Sequence, residues 1–278
     1  MPAKVVRVHS ESGDFQVALA LRDNRNKRQK QREFFVESVA CINALRGSGW
    51  QVTTFLYQSE GLSDWARDTL ANVEAERHLQ LTPELMQKLS ARNEPSELVA
   101  IVRMPSDDLA RIPLRDPLFL VVVDRPKSPG NLGTILRTAD AFGVQGVVVT
   151  GHAADLFDPQ SVRASLGTLF TMPVVRIPSS QTLEPWLSNL KRDHGARLVG
   201  TSARAKTLLS ENDFSGATVL FLGNETAGLS AHCRSLCDEL VGIPQRGNAS
   251  SLNVASAAAI SLYEIDRQRR IRDPRAPE

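Results

Sequence analysis

The 278-residue chain has 42% hydrophobic and 23% charged residues, which is too apolar for a disordered protein and long enough for two domains. Its longest purely apolar run, Leu118 to Val123, is far shorter than the roughly 20 residues of a membrane helix, and its polar start lacks a signal-peptide core, so we expect a cytoplasmic protein without membrane partners. Three cysteines cannot all pair with one another, and a net charge of +2 hides a local excess of positive charge, so we expect reduced thiols and one basic surface.

Residues 1–106 are predicted to form a small α/β domain. Apolar spacing and capping residues predict helices, whereas clusters of β-branched and aromatic residues predict strands. The predicted helices are Asp14–Leu21, a pattern from Phe34 to Leu45 that ends before Gly47, a stretch from Ser63 to Val73, and a further helix that opens at Pro83. The predicted strands are Val52–Tyr57 and Leu98–Val102.

A basic segment follows the first predicted helix. Only Asp23 offsets its positive charges, which are carried by Arg22, Arg25, Lys27, Arg28, Lys30 and Arg32. Such a cluster is typical of an anion-binding surface, and a solvated face of the domain is the alternative.

The second part of the chain is more regular. Prolines among charged residues in 107–117 predict a linker, which places the second domain at 118–278. Short apolar strands alternate with helical patterns there, which predicts a parallel sheet covered on both faces. The predicted strands are Leu118–Val123, Gly146–Thr150, Val174–Ile177, Leu198–Thr201, Val219–Leu222 and Leu240–Ile243, and the predicted helices include Leu132–Phe142 and a final helix from Ser250 or Ser251 to about Arg269.

Polar, glycine-rich loops follow three of these strands, at residues 124–133, 223–230 and 244–253. Ligands of open parallel sheets bind at the carboxyl ends of the strands, and glycine lets a backbone approach a ligand closely. We therefore expect these loops to form the functional site. No G-x-G-x-x-G and no phosphate-binding P-loop pattern follows a strand, which argues against a dinucleotide-dependent oxidoreductase.

The three loops carry a resemblance to a known family. In order and in approximate spacing they are similar to the three motifs of the SpoU (TrmH) family of RNA 2'-O-ribose methyltransferases, in the SPOUT superfamily. The matching residues are Asn131-x-Gly133 with Arg137, then Gly223-Asn224-Glu225-x-x-Gly228-Leu229, then Ile243-Pro244 with Ser251-Leu252-Asn253. One departure is Gln245-Arg246, where the family commonly has a methionine after the proline.

Other segments resemble a subgroup of this family. Asp124-Arg125-Pro126, Ser128-Pro129-Gly130-Asn131 and Gly151–Asp155 look most like the orthosomycin (avilamycin) resistance methyltransferases, which modify a uridine ribose in 23S ribosomal RNA. The resemblance implies an α/β fold in which a trefoil-knotted parallel-sheet methyltransferase domain follows an L30e-like RNA-binding domain. It also implies a homodimer, and it leaves open whether resistance to a ribosome-targeting antibiotic is the physiological role.

The resemblance further implies S-adenosylmethionine as the cofactor. Gly223, Ile243 and Leu252 match positions whose backbone binds it, and we expect Leu222 and Thr201 to line the cofactor site. The RNA-binding residues expected in the basic segment are Arg25, Lys27, Arg28 and Lys30. No metal is needed for this reaction, and His232 with Cys233 and Cys237 lacks the usual spacing of a zinc site.

Arg137 matches the family's essential arginine. Because a guanidinium keeps its proton in proteins, we expect Arg137 to bind the adjacent phosphate and stabilise the developing alkoxide, while the proton goes to phosphate or water. Asn131 would place the ribose or phosphate, Glu225 would orient Arg137 or Asn131, and Ser251 and Asn253 would complete the catalytic pocket. The alternatives are a tRNA substrate and an RNA-binding ribosome-assembly protein without turnover.

Overall fold

The structure is a computed structural model that describes residues 4–58, 60–90, 94–248 and 250–272. It divides into two compact units. Unit 1 comprises Met1–Ser106 and Asp155–Thr171, and unit 2 comprises Asp107–Ala154 and Met172–Glu278. Two segments therefore differ from the predicted domains, because 107–117 belongs to unit 2 rather than to a free linker, and 155–171 belongs to unit 1.

Strands and helices alternate along most of the chain. The strands are β1 Lys4–Val8, β2 Glu33–Val36, β3 Val52–Gln58, β4 Ala75–Leu81, β5 Leu98–Arg103, β6 Phe119–Asp124, β7 Gly146–Thr150, β8 Val174–Ile177, β9 Arg197–Thr201, β10 Thr207–Leu208, β11 Thr218–Leu222 and β12 Glu239–Gly242. The helices are α1 Gly13–Asp23, α2 Arg25–Gln31, α3 Val39–Leu45, α4 Asp64–Asn72, α5 Pro83–Leu89, α6 Pro129–Ala141, α7 Pro159–Ala164, α8 Thr168–Thr171, α9 Glu184–His194, α10 Ala231–Leu236 and α11 Val254–Arg272. No described helix is long and apolar enough to span a membrane.

Unit 1 contains a mixed sheet in the order β1-β4-β3-β5-β2. Strands β1, β4 and β3 are parallel, and β5 runs antiparallel to β3 and β2. The predicted helix over Phe34–Leu45 is wrong at its start, because Phe34–Val36 belongs to β2 and only Val39–Leu45 is helical. All three side chains of Phe34–Val36 are buried, which a strand between packed layers allows and an amphipathic helix does not.

Unit 2 contains a parallel sheet, as predicted. Its order is β10-β12-β9-β11-β6-β7-β8, and each neighbouring pair is parallel. The predicted linker packs into this unit: Ile112 is 3% exposed within its core, and Asp107 pairs with Arg176 at 2.6 Å. Because neighbouring strands are parallel, their carboxyl ends lie at one edge, where the three glycine-rich loops emerge.

The final helix begins later than predicted. Asn253 precedes α11, and its side-chain Oδ1 accepts hydrogen bonds from the backbone N–H groups of Ala255 at 2.8 Å and Ser256 at 3.4 Å. This N-terminal cap satisfies amides that have no partner inside the helix. Ser250 and Ser251 therefore remain in the loop.

Candidate functional site

Three loops of unit 2 meet at the carboxyl edge of the parallel sheet. We call them the first loop (residues 124–131, after β6), the second loop (223–230, after β11) and the third loop (243–253, after β12). The first loop enters α6 through Ser128, whose hydroxyl accepts a hydrogen bond from the Asn131 backbone N–H at 3.3 Å, with Pro129 as the first helical residue. Proline fits this position because its missing N–H would have no partner there.

A buried carboxylate joins the first loop to the second. Asp124 is 1% exposed and accepts hydrogen bonds from the Ser230 backbone N–H at 2.6 Å and from the Arg125 guanidinium at 3.0 and 3.2 Å. Burial alone would raise the pKa of Asp124, but the hydrogen bonds from Arg125 and Ser230 outweigh it and hold this pKa below its usual value. Asp124 is therefore ionised at neutral pH and connects the two loops.

Asn224 adds a second connection between the same loops. Its amide Nδ2 donates to the Arg125 carbonyl at 2.6 Å, and its Oδ1 accepts from the backbone N–H groups of Thr226 and Ala227. Asn224 and Gly228 also exchange backbone hydrogen bonds at 2.9 and 3.0 Å. These bonds fix the shape of the second loop and hold Glu225 at its tip.

Glu225, Asn131 and Asn253 form a polar chain across all three loops. The Glu225 carboxylate accepts hydrogen bonds from the backbone N–H groups of Lys127 and Ser128, at 2.9 and 3.1 Å, and from Asn131 Nδ2 at 3.1 Å. Asn131 Oδ1 in turn accepts from Asn253 Nδ2 at 3.2 Å. The structure therefore brings together three of the predicted catalytic residues, one from each loop.

Glu225 is the ionisable member of this polar chain of three side chains. Burial by itself raises the pKa of Glu225, but the hydrogen bonds from Lys127, Asn131 and Ser128 outweigh it, so the pKa lies below its usual value. Glu225 is therefore ionised at neutral pH and can only accept hydrogen bonds. This orients the Asn131 amide with its NH2 group toward Glu225 and its oxygen toward Asn253.

Arg137 lies on α6, beyond the first loop. Its side chain is exposed, and none of the residues that the structure describes forms an ion pair or hydrogen bond with it. Of the two partners proposed for Glu225, the structure shows Asn131 and not Arg137. Arg137 is thus a free cation on the helix that the first loop begins.

A cavity of about 560 Å³ lies among the second loop, the third loop, β9 and α11. Four of the five predicted cofactor residues line it, namely Thr201, Gly223, Ile243 and Leu252. Leu222 does not line it, and its side chain is buried within β11. Glu225 and Ser251 also line the cavity, whereas Asn131, Arg137 and Asn253 do not.

Several polar residues of this lining were not predicted from the sequence. They are Ser202, Arg204, Arg234 and Ser261. Ser202 and Arg204 follow β9, so the same search of strand ends that identified the other loops could have found them. Ser261 lies deep in the final helix, where only the packing shows that it faces a cavity.

The structural reason for a glycine at position 223 differs from the predicted one. A Cβ atom at this position would lie 2.5 Å from both the Gly228 carbonyl carbon and the Leu229 backbone nitrogen. Glycine is therefore required first by the close approach of two backbone segments within the second loop, and its contact with the cavity follows from that turn.

The predicted RNA-binding role of Arg28 is wrong. Arg28 is 2% exposed within unit 1, and its guanidinium pairs with Asp155 at 2.8 Å and Asp158 at 3.3 Å. It also donates to the backbone carbonyls of Leu21 and Arg22, so its hydrogen-bonding capacity is used inside the unit. Arg28 cannot reach an RNA phosphate from this position.

Three other residues of the basic segment differ from Arg28. Arg25 and Lys30 are exposed and Lys27 is half-buried, all on α2. Within the part of the chain that the structure describes, no ion pair engages Lys27 or Lys30. These three side chains remain candidates for contact with an anion.

The residues that the structure describes contain no cluster of His, Cys, Asp and Glu that could hold a metal ion. Cys233 is buried, and burial raises the pKa of Cys237 to about 12. A metal-binding thiolate is therefore disfavoured at Cys237 at neutral pH.

Comparisons with known proteins identify the family of this chain. The SpoU rRNA Methylase family model matches residues 118–263, and the SpoU L30e-like domain model matches residues 12–100. A 23S rRNA (uridine(2479)-2'-O)-methyltransferase of Streptomyces viridochromogenes is 47% identical over 95% of this chain and 92% of its own length.

Solved structures give the same result. The SpoU methyltransferase AviRb of S. viridochromogenes, in complex with its cofactor AdoMet, has a TM-score of 0.88 and 46% identity, covering 93% of this chain and 98% of that one. An AdoMet-bound rRNA methyltransferase of Sinorhizobium meliloti has a TM-score of 0.83 and 30% identity, covering 95% and 98%. The family and the L30e-like N-terminal domain predicted from the sequence are thereby confirmed. This chain belongs to the SpoU rRNA methylase family.

Proposed function

We propose that this chain uses S-adenosylmethionine to methylate the 2'-hydroxyl of a uridine ribose in 23S ribosomal RNA. The observation that carries this proposal is the polar chain Glu225–Asn131–Asn253, which joins all three motif loops beside a cavity large enough for a cofactor. The high identity to the S. viridochromogenes uridine methyltransferase over nearly the whole chain supports the choice of substrate.

The cavity fits the proposed cofactor. Its volume of about 560 Å³ is within the range of small-molecule sites, roughly 300 to 1,000 Å³. Its lining combines apolar side chains, such as Leu209, Leu240 and Val241, with polar groups on the second and third loops. Thr201, Gly223, Ile243 and Leu252 would hold the cofactor there, as the resemblance implies. When bound, S-adenosylmethionine supplies an electrophilic methyl group on its sulfonium.

The chain's own residues would position the RNA nucleophile. The exposed guanidinium of Arg137 would bind the phosphate next to the target ribose and stabilise negative charge on the 2'-oxygen as its proton leaves. Asn131, fixed by Glu225 and Asn253, would hold the ribose or phosphate in line with the methyl group. Ser251 is exposed at the rim of the same cavity and would close the pocket around the nucleotide.

RNA selection is assigned to unit 1. The L30e-like domain match covers residues 12–100, and Arg25, Lys27 and Lys30 lie within it. Phosphate contacts from such residues add affinity without reading sequence, so they would bring the RNA to the site and leave base recognition to other contacts.

We further propose that the enzyme is a homodimer. Ile260 and Tyr263 are 42% and 51% exposed on α11, and Tyr263 packs edge-on against Phe142 at 6.1 Å. Burying this apolar surface against a second copy would stabilise the pair. Light scattering should give about twice the chain mass of 30.5 kDa; a fully active monomer at nanomolar concentration would contradict the dimer.

The trefoil knot, a cytoplasmic location and a role in resistance to an orthosomycin antibiotic are parts of the same proposal. They are supported by the resemblance, and a ribosomal substrate is itself cytoplasmic. Expression of the protein in a susceptible strain should raise its resistance to avilamycin.

Transfer of a labelled methyl group to separated ribosomal and transfer RNAs tests the function. We expect label in 23S RNA, mapped to the ribose of one uridine. Label in tRNA would establish the alternative substrate instead. A folded, RNA-binding protein that labels neither RNA would favour the non-catalytic ribosome-assembly role.

A further inference from the structure

Ser261 has an unusual position on α11. Its side chain is 0% exposed, and its Oγ has no hydrogen-bond partner among the residues that the structure describes. Ser261 also lines the cavity described above, together with Val254 and Ala257. Positions 254, 257 and 261 share one face of a helix, so α11 presents this hydroxyl to the cavity.

Three other hydroxyls within helices of this protein have a partner. Thr134, Thr138 and Ser188 each donate to the carbonyl oxygen of the residue four positions earlier, at 2.9 to 3.0 Å. Ser261 could make the same bond to Ala257 and does not. A buried hydroxyl without a partner costs free energy, and a polar group of a ligand in the cavity would supply the missing hydrogen bond.

The character of the lining indicates which part of a ligand this is. The buried members near α11 are apolar: Leu209, Val241 and Val254 are 4%, 1% and 8% exposed. Three polar side chains of the lining, Arg204, Arg234 and Gln245, are exposed, whereas the buried Asn224 amide is already bonded within the loops. A zwitterionic amino-acid tail would therefore stay at the exposed part, and a flat base would occupy the buried part.

We propose that Ser261 Oγ forms a hydrogen bond with the adenine base of the bound cofactor and so helps to determine its specificity. An adenine edge carries both ring-nitrogen acceptors and an amine donor, and a hydroxyl can serve either. The inference rests on the proposed function, because it takes this cavity as the cofactor site. Ser261 acts in binding and takes no part in methyl transfer.

Calorimetry with S-adenosylhomocysteine and with adenosine tests the proposal in the full-length protein. Ser261→Ala should raise the Kd of both ligands about tenfold, or about 1.4 kcal/mol, because both carry the base. The unfolding temperature of the ligand-free variant should equal or exceed that of the wild type, because a hydroxyl without a partner is removed. A purely structural serine would show the opposite pattern, with lower stability and unchanged affinity.

Ser161 provides a matched control. It is 1% exposed, its Oγ also has no partner among the described residues, and it lies on α7 in unit 1, outside the cavity lining. Ser161→Ala should leave both Kd values unchanged. Ser261→Thr, which keeps the hydroxyl, should bind adenosine more tightly than Ser261→Val, which has nearly the same shape without it.

The outcomes separate this proposal from the proposed function. If the wild type binds S-adenosylhomocysteine and Ser261→Ala binds it equally well, the role of Ser261 is refuted and the methyltransferase assignment stands. If affinity falls for S-adenosylhomocysteine but not for adenosine, the hydroxyl contacts the tail and the adenine assignment is wrong. If the folded wild type binds neither ligand, the cofactor assignment itself fails.

Discussion

The three-loop site of unit 2 and the basic segment of unit 1 were both predicted to be functional. The structure brings the predicted residues together in the first and separates them in the second. In the site, the predicted residues Asn131, Glu225 and Asn253 bond to one another. In the basic segment, Arg28 is buried against Asp155, while Lys30 on the same short helix is exposed.

The difference has a physical cause. Each residue of a loop motif is placed by a strand end, a glycine turn or a helix cap. Three such loops after parallel strands therefore bring their residues close to one another. A run of basic residues determines only the net charge of the segment. It does not determine the partner of each side chain, because each cation can bind either a phosphate or a carboxylate of its own chain. Asp155 lies 127 positions from Arg28, so no local pattern could have linked them.

The largest expected effect tests the buried side of this comparison. Arg28→Ala leaves Asp155 as an uncompensated buried charge and should destabilise unit 1 by about 3 to 5 kcal/mol. Urea unfolding followed by the fluorescence of Trp50 and Trp65, which lie in unit 1, would measure the loss. Lys30→Ala is the control and should stay within about 0.5 kcal/mol of the wild type; equal stability of the two variants would mean that Arg28 is not a structural residue.

Arg137 tests the free cation of the site. Arg137→Ala should lower kcat at least 100-fold, about 2.7 kcal/mol, because its proposed contacts strengthen as charge develops on the 2'-oxygen. Arg137→Lys should recover little, since an ammonium lacks the planar fork of a guanidinium. Cofactor Kd should remain within about twofold in both variants.

Arg192 supplies the matching control for this measurement. It is an exposed helical arginine that pairs with Asp193 on α9. Arg192→Ala should have wild-type kcat. Near-normal turnover of Arg137→Ala would remove Arg137 from the catalytic assignment.

Glu225 tests the polar chain. Glu225→Gln replaces one accepting oxygen by an NH2 group, which cannot accept from Ser128 or Asn131, so kcat should fall about tenfold, or about 1.4 kcal/mol. Isothermal binding and single-turnover rates would separate lost binding from lost chemistry. An unchanged single-turnover rate would show that the orientation of Asn131 does not matter.

The same carboxylate gives a pH prediction. Because the pKa of Glu225 is lowered from its ordinary value of 4.5, its contribution to stability is complete above that value and is lost as the pH falls through the lower, folded pKa. The backbone amide signals of Lys127 and Ser128 should therefore titrate with a midpoint below 4.5. A midpoint above that value would contradict the hydrogen bonds described here, and Glu225→Gln should show no such titration.

The smallest effect concerns the exposed side of the basic segment. Replacing Lys27 and Lys30 by alanine should weaken RNA binding and lower the salt slope of log K by at most about one unit for each lost phosphate contact. A variant that replaces Arg67 and Arg192, exposed arginines elsewhere, controls for net charge. Equal salt slopes for the two variants would show that the segment is a solvated face.

Segment 155–171 illustrates where prediction along the chain fails. Its sequence neighbours on both sides belong to unit 2, yet its helices α7 and α8 belong to unit 1. There Asp155 pairs with Arg28, and Phe157 packs on Phe34 at 4.6 Å. A fragment cut at residue 107 would therefore carry this segment without its packing partners, and would be a poor test of an isolated catalytic unit.

The parallel sheet of unit 2, the family and the order of the three motif loops could be predicted from the sequence alone, because buried parallel strands are continuous apolar runs and the motif loops follow them directly. Strand β4 could not be predicted, because only Leu79 and Leu81 of its residues are buried. It is held as a strand by pairing with β1 and β3. Three features emerge only in the folded protein: Arg28 is buried, Gly223 avoids a backbone clash and Leu222 is absent from the cavity lining. Each of these depends on atoms brought together from distant or folded-back segments, and local periodicity carries no information about such contacts.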